Sequence, residues 1–186
     1  MNKIYLFLLV TTLFLSSCAT KQEVLPSQRY ENSYINVNSP NTRGWRLSQG
    51  KWGMMFGKKD EKGASYIITM LHYALPKRIT DSKFLKMVKK TNVKNKEWFQ
   101  MIESSSKLSI FQGYTCVKIE QLIKDNEAHI SSTDTRILLL RISSLYCKIP
   151  KKNIVLVISY SYRGKKIPNT FKTDAKYFLN GVKIKK

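Results

Sequence analysis

Two segments, Ser65 to Leu75 (SYIITMLHYAL) and Asn153 to Tyr162 (NIVLVISYSY), constrain the fold of this chain more than any other feature. Both are short and rich in β-branched and aromatic residues. In the first, Ile67, Leu71, Tyr73 and Leu75 share one parity, while Tyr66, Ile68 and Met70 share the other. Successive strand side chains point to opposite faces, so the first segment reads as a central strand that needs cover on both sides, and the second as a further strand. A chain of 186 residues is long enough to build one domain of that kind with a true core.

The remaining elements are shorter. Trp45 to Leu47 and Lys51 to Phe56 (KWGMMF) read as strands joined through Gln49-Gly50, with Trp45 and Trp52 as large core or rim residues. Gly57 to Gly63 (GKKDEKG) reads as a charged turn. Pro76 ends the first central strand, and Thr80 or Asp81 caps a helix to about Lys90 with Phe84, Leu85 and Val88 inward. Val93 to Glu103 fits either helix or strand. Lys107 to Lys124 and Thr135 to Cys147 are further strands, and Thr173 caps a short helix carrying Ala175, Phe178 and Leu179 that stops at Gly181. The expected class is α+β: a single domain with an antiparallel sheet of about six strands and two packed helices.

This order carries Gly44-Trp45, Pro76 ahead of a helix, Cys116 and a strand ending Tyr146-Cys147 before Pro150. It closes with the strand end Tyr160-Ser161-Tyr162-Arg163 and a Phe178-Leu179 helix. Together these features resemble the PsbP-like fold and a set of bacterial lipoproteins. The resemblance implies an accessory or binding role rather than catalysis, and it carries over no catalytic residue.

The N-terminus has the form of an export signal: Met1-Asn2-Lys3 is cationic, and Ile4 to Leu15 is apolar apart from Thr11 and Thr12. As a helix that run covers about 18 Å, short of the roughly 30 Å hydrocarbon core. The tetrapeptide Leu15-Ser16-Ser17-Cys18 that follows resembles the lipobox of bacterial lipoproteins. This resemblance implies that the Cys18 thiol is lipidated and that Cys18 becomes the first residue of the mature chain. A thiolate has the nucleophilicity this needs, and two or three acyl chains hold a membrane durably. Ala19 rather than Asp after the Cys implies the outer membrane, with the protein facing the periplasm. The alternatives are an ordinary signal peptide cut after Ala19 and an uncleaved signal anchor. The expected division is signal peptide 1–17, lipidated N-terminus and flexible tether 18–42, and α+β domain 43–186, because residues 19–41 are rich in Ser, Asn, Gln and Pro without a period.

Export places Cys116 and Cys147 where pairing is the default, so a structural disulfide is expected. A hairpin with 116 opposite 147 centres its turn between Ile130 and Ser131, with Asp125, Asn126, Ser131, Ser132 and Asp134 in the loop. In that register Cys116, Lys118 and Glu120 share a face with Arg141, Ser143 and Cys147, while Val117, Ile119, Leu140 and Ile142 turn inward. A redox pair would want Cys-x-x-Cys, and a metal site would need His72 or His129 at no recognisable ligand spacing. No metal, cofactor or catalytic residue is expected.

The net charge is +21, almost all of it on the mature chain. The stretch from Lys77 to Lys96 is densest, and Lys83, Lys86 and Lys90 share a helix face opposite Phe84 and Val88. These three are the candidate contacts for anionic lipids, lipopolysaccharide or another envelope assembly. The alternative is that lysine, at 26 residues against 7 arginines, simply solvates the surface. Nucleic acid is not an expected partner, since the aromatics alternate as core strands rather than forming a stacking platform. Nucleophile-elbow, zincin and phosphate-loop motifs do not occur. The expected function is therefore an exported, lipid-anchored, non-catalytic accessory or binding module, and the alternative is an envelope enzyme whose site is assembled only in space.

Overall fold

The computed structural model describes residues 22–60, 63–91, 98–129 and 135–185. In chain order the elements begin with β1 (Gln22–Glu23), β2 (Arg29–Glu31), β3 (Ile35–Asn38), β4 (Arg46–Gly50), β5 (Gly53–Lys59) and β6 (Ser65–Ala74). Then come α1 (Asp81–Thr91), β7 (Phe99–Phe111), β8 (Tyr114–His129), β9 (Thr135–Ile149), β10 (Ile154–Gly164), α2 (Phe171–Gly181) and β11 (Lys183–Ile184). An eight-stranded antiparallel sheet runs β1-β4-β5-β6-β10-β9-β8-β7, and a three-stranded sheet runs β11-β3-β2. The fold is α+β, a single domain with two helices, as the strand pattern predicts.

The two segments singled out from the sequence, β6 and β10, are neighbours at the centre, paired from Ile154 opposite Ala74 to Arg163 opposite Ser65. On one face, Phe56, Ile68, Met70, Cys116, Cys147, Leu156 and Ile158 are buried in the larger core with Phe171, Ala175, Phe178 and Leu179 of α2 and Ile35 and Val37 of the small sheet. On the other, Val117, Ile119, Val155 and Val157 pack on Phe84 and Val88 of α1. Full burial of two such side chains stabilises by roughly 1.5–3 kcal/mol each, which is what holds an 11-residue helix too short to persist alone. Its start is capped by the Thr80 hydroxyl, which accepts from the Lys83 N–H at 3.3 Å. Asp81 in the first turn and Lys89 and Lys90 in the last suit the helix dipole. α1 covers only part of its face, so Met55, Ile67 and Tyr73 on β5 and β6 stay exposed.

Several expectations need correction, among them the Gln49-Gly50 joint, which lies within β4 while Lys51-Trp52 makes the turn, and the Thr173 cap, which lies inside α2 with Thr170 at its start. Residues 22–42 are not a tether: they form β1 to β3, and Val24, Ile35 and Val37 are buried. The main sheet has eight strands rather than six, with three more in the small sheet; β1 and β2 to β3 lie in the presumed tether, and β11 in the C-terminal tail. Lys107 to Lys124 is not one strand but the meeting of β7 and β8 at a two-residue turn, where Gln112 and Gly113 have φ of 50° and 83°. Two consecutive left-handed residues match the right-handed twist of the flanking strands. Finally, Asp125 and Asn126 belong to β8 rather than a loop, and β8 extends to His129; the expected turn centre at Ile130 and Ser131 lies outside the described residues.

Registers also sort the turns. Lys51-Trp52 between β4 and β5, residues 75–80 before α1, Gln112-Gly113, and the 3-10 turn Pro150–Lys152 all fall at one end of the main sheet. The β5–β6 connection around Asp60, Trp98 before β7, and the residues after Gly164 fall at the other.

Candidate functional site

α2 packs along β10 and divides the larger face into two clefts. The one beside β5 and β6 has a volume of about 740 Å³ and is walled by Trp45, Tyr66, Tyr160 and Phe178, with Tyr177 at its mouth. Strand alternation puts the rings there: Tyr66 and Tyr162 are cross-strand partners, and Tyr160 follows at the same parity. Their rings meet edge to face, Tyr66 with Tyr162 at 4.8 Å and Trp45 with Tyr66 at 6.2 Å. Tyr160 lies under α2, 5.5 Å from Phe171 and 6.3 Å from Phe178. The Tyr162 hydroxyl folds over Gly164, where a Cβ would collide with it. The opposite wall is the loop after β3, tied to the ring cluster by the Trp45 indole N–H, which donates to Thr42 Oγ1 at 2.9 Å. Ser39, buried below it, donates to Leu25 O at 2.7 Å and accepts from the Gln28 N–H at 2.9 Å.

Among the described residues three charges line this cleft: Lys58, Asp60 and Asp174. Asp60 Oδ1 accepts from the Ala64 N–H at 2.8 Å, which fixes the β5–β6 turn. Burial pushes the Tyr160 phenol well above its ordinary range, and Asp174 and then Tyr66 push it further. Burial, then Tyr162, Asp60 and Asp174 raise Tyr66; burial and then Asp60 raise Tyr162. All three phenols are thus held protonated at neutral pH. In that form each offers a hydroxyl proton and a π face.

The second cleft, about 600 Å³, lies between α2 and the β7–β9 half of the sheet. Its floor is polar: Ser143 Oγ donates to Glu120 Oε1 at 2.9 Å, and Lys118 Nζ lies 2.9 Å from the same oxygen. Lys172 and Lys176 of α2 and Arg141 of β9 also line it, the last paired with Glu103 at 2.7 Å.

The residues expected from sequence are dispersed. Cys116 and Cys147 are bonded, opposite each other in register and fully buried. Their parity is as expected, but both faces are covered there, so the cysteines sit in the larger core rather than on a polar surface. Lys83, Lys86 and Lys90 are exposed on α1, opposite Phe84 and Val88. His72 stacks on Tyr34 at 4.4 Å, with Trp52 at 6.3 Å, far from the large cleft. His129 ends β8. Cys18 lies outside the described residues. Among the described residues no group of His, Cys, Asp or Glu is placed to hold a metal ion, and no helix is long and apolar enough to cross a membrane. Sequence reading missed the aromatic cleft; its one early signal was the shared parity of Tyr66 with Ile68 and Met70.

No protein-family model and no curated protein sequence matches the chain. Solved structures do. The solution structure of cyanobacterial PsbP (CyanoP) from Synechocystis sp. PCC 6803 superposes with a TM-score of 0.52 at 13% identity, covering 92% of this chain and 99% of that one. A Bacteroides thetaiotaomicron crystal structure gives 0.48 at 9% identity, over 87% of this chain and 50% of that one. The Ran-binding protein Mog1p of Saccharomyces cerevisiae gives 0.46 at 11%, over 89% and 96%. The likeness to cyanobacterial PsbP extends to the fold, as the sequence resemblance implies.

Proposed function

We propose that the protein is an exported lipoprotein, anchored through Cys18 at the outer membrane and facing the periplasm, that acts as a non-catalytic binding module in an envelope assembly. The observation that carries the binding role is the 740 Å³ cleft walled by Trp45, Tyr66, Tyr160 and Phe178. Rigid aromatic walls with a few fixed polar groups are the usual make-up of a recognition site, and phenols locked in the neutral form recognise rather than react. Export and anchoring rest on the cationic start, the short apolar run and Leu15-Ser16-Ser17-Cys18. The exposed Lys83, Lys86 and Lys90 fit contact with anionic lipid or lipopolysaccharide.

The test places a photo-crosslinking residue at Tyr177, which is 80% exposed at the cleft mouth, in cells expressing the full chain. A discrete crosslinked partner that disappears when Tyr66 is replaced by Ala supports the reading. Crosslinking that is unaffected by Tyr66→Ala removes the cleft as the binding site. In parallel, Cys18→Ser should abolish acyl labelling and leave precursor; normal processing to a soluble form would refute the anchor.

A further inference from the structure

We infer that the protein rests on the lipid surface through one end of its main sheet, the end carrying the Lys51-Trp52 turn, and that its aromatic cleft faces away from the membrane. This rests on anchoring through Cys18. The decisive quantity is the amount of chain between that residue and the fold. The first described strand starts at Gln22, so Cys18 is four residues in sequence from the sheet. At most about 3.6 Å per residue, the anchored thiol lies within about 14 Å of Gln22. So short a connection leaves the domain little freedom to swing clear of the headgroups.

The direction of β1 selects which end comes to rest. β1 runs antiparallel to β4, with Gln22 opposite Leu47 and Glu23 opposite Arg46. Followed back toward lower numbers, the strand at Gln22 therefore points along β4 toward Gly50 and the Lys51-Trp52 turn. Leu47 and Lys51 are separated by four strand residues, about 13 Å, so the reach from Gln22 to Cys18 matches the distance from Gln22 to the turn. The Asp60 end, with the large cleft, lies in the opposite direction.

The chemistry of the turn end suits that position. Trp52 is 58% exposed on a connection two residues long, with Lys51 Nζ 5.3 Å from the centre of its ring. Tyr73, also exposed, is on the adjoining strand, where the His72 N–H donates to Trp52 O at 3.0 Å. Tryptophan and tyrosine favour the membrane–water boundary, where an apolar ring and a polar edge are both accommodated. Around them the same end gathers Lys51, Lys77, Arg78, Lys151 and Lys152 from three separate connections. The acids nearby already have partners: Asp81 pairs with Lys148, and Glu31 lies 3.3 Å from Lys185. A cationic rim around an exposed indole complements an anionic headgroup layer.

The experiment uses the acylated full-length protein reconstituted in phosphatidylglycerol-containing vesicles, with mass spectrometry confirming the acyl group on Cys18. Tryptophan emission is measured with phospholipids brominated on the acyl chain as contact quenchers. Trp45 is buried and Trp98 stands at the opposite end of the sheet, with its carbonyl accepting from the Asn126 N–H, so both serve as internal references. The expected result is clear quenching in the wild type, most of it lost in Trp52→Phe and retained in Trp98→Phe, with unchanged melting temperatures in both. Quenching that survives in Trp52→Phe, or disappears in Trp98→Phe, overturns the orientation while leaving the anchor intact. Absence of the acyl mass refutes the anchor, and the orientation with it.

Discussion

The two clefts beside α2 share a helix and a sheet face, yet they are chemically opposite. Toward β5 and β6 the helix faces Trp45, Tyr66 and Tyr160, with two carboxylates and one lysine. Toward β7 to β9 the same helix faces serines, Glu120, Lys118 and Arg141. Their difference comes from what else covers each half. The first half is also roofed by the small sheet and the loop after β3, so its inward parity can be aromatic without exposing large apolar surface. The second half ends at the edge strand β7, where inward positions such as Ser105 and Ser109 remain in contact with solvent. Recognition chemistry therefore accumulates where two layers of cover meet, and solvation chemistry where the sheet runs out.

Breaking the aromatic side should cost most. Tyr160→Ala removes the ring that supports Phe171 and Phe178 and should destabilise by about 4 kcal/mol, read as a shift in the denaturant midpoint. If the shift is under about 1 kcal/mol, the ring cluster is not the structural centre of that half. The polar side is held by the Cys116–Cys147 bond, which closes a loop of sequence separation 31. Replacing both cysteines by Ala should cost roughly 3.5 kcal/mol in the chain-entropy model. Before such replacement, alkylation under denaturing, non-reducing conditions should find no free thiol at either position.

A pH titration sharpens the contrast further. Tyr160 in the folded state has its pKa raised above the ordinary 10.0 by burial first and Asp174 second. An unfolded phenol releases its proton near that ordinary value while the folded one retains it, so the folded state binds more protons above it. Stability is therefore full below about pH 10 and falls as pH rises beyond it. Tyr160→Phe should flatten the alkaline limb of the melting-temperature curve, and a limb of unchanged steepness would show that the phenol does not govern it. The smallest effect is expected from Ser143→Ala. Glu120 keeps Lys118 and is partly exposed, so the loss should stay within about 1 kcal/mol, and a larger one would mean that the second cleft is drier than its residues suggest.

What could be read from the sequence follows the range of the interactions. β6 and β10 were legible because the first is apolar on both parities at Ile67 and Ile68 and the second runs β-branched through Ile154, Val155, Val157 and Ile158, both local signals. The Cys116–Cys147 register was legible because two cysteines align a whole hairpin. β1 to β3 were not, because strands of two to four residues leave Val24, Ile35 and Val37 too sparse to form a period. The β7–β8 turn was hidden by Gln112 in a left-handed conformation, where Asn or Asp is the usual signal. Asp125 read as a loop residue, yet it is 2% exposed in β8 and ion-paired with Arg163 of β10. The cleft is the clearest case: Trp45, Tyr66, Tyr160 and Asp174 span most of the chain, and no local pattern announces that they meet.

The small sheet also orders events in time. β11, the last strand, pairs with β3, one of the first, Ile184 lying opposite Ile35. Gln112, at the tip of the β7–β8 hairpin, accepts from the Ile184 N–H and donates to Val182 O, so the tail is clasped by a residue from mid-chain. Contacts this distant in sequence form late, because loop closure costs entropy before any pairing returns it. While the chain is still being synthesised, the central sheet can assemble but β3 waits without its partner. Pairing of β11 is thus the event that seals the domain, and truncation after Gly181 should leave Ile35 and Val37 uncovered in a chain whose central hairpins are otherwise formed.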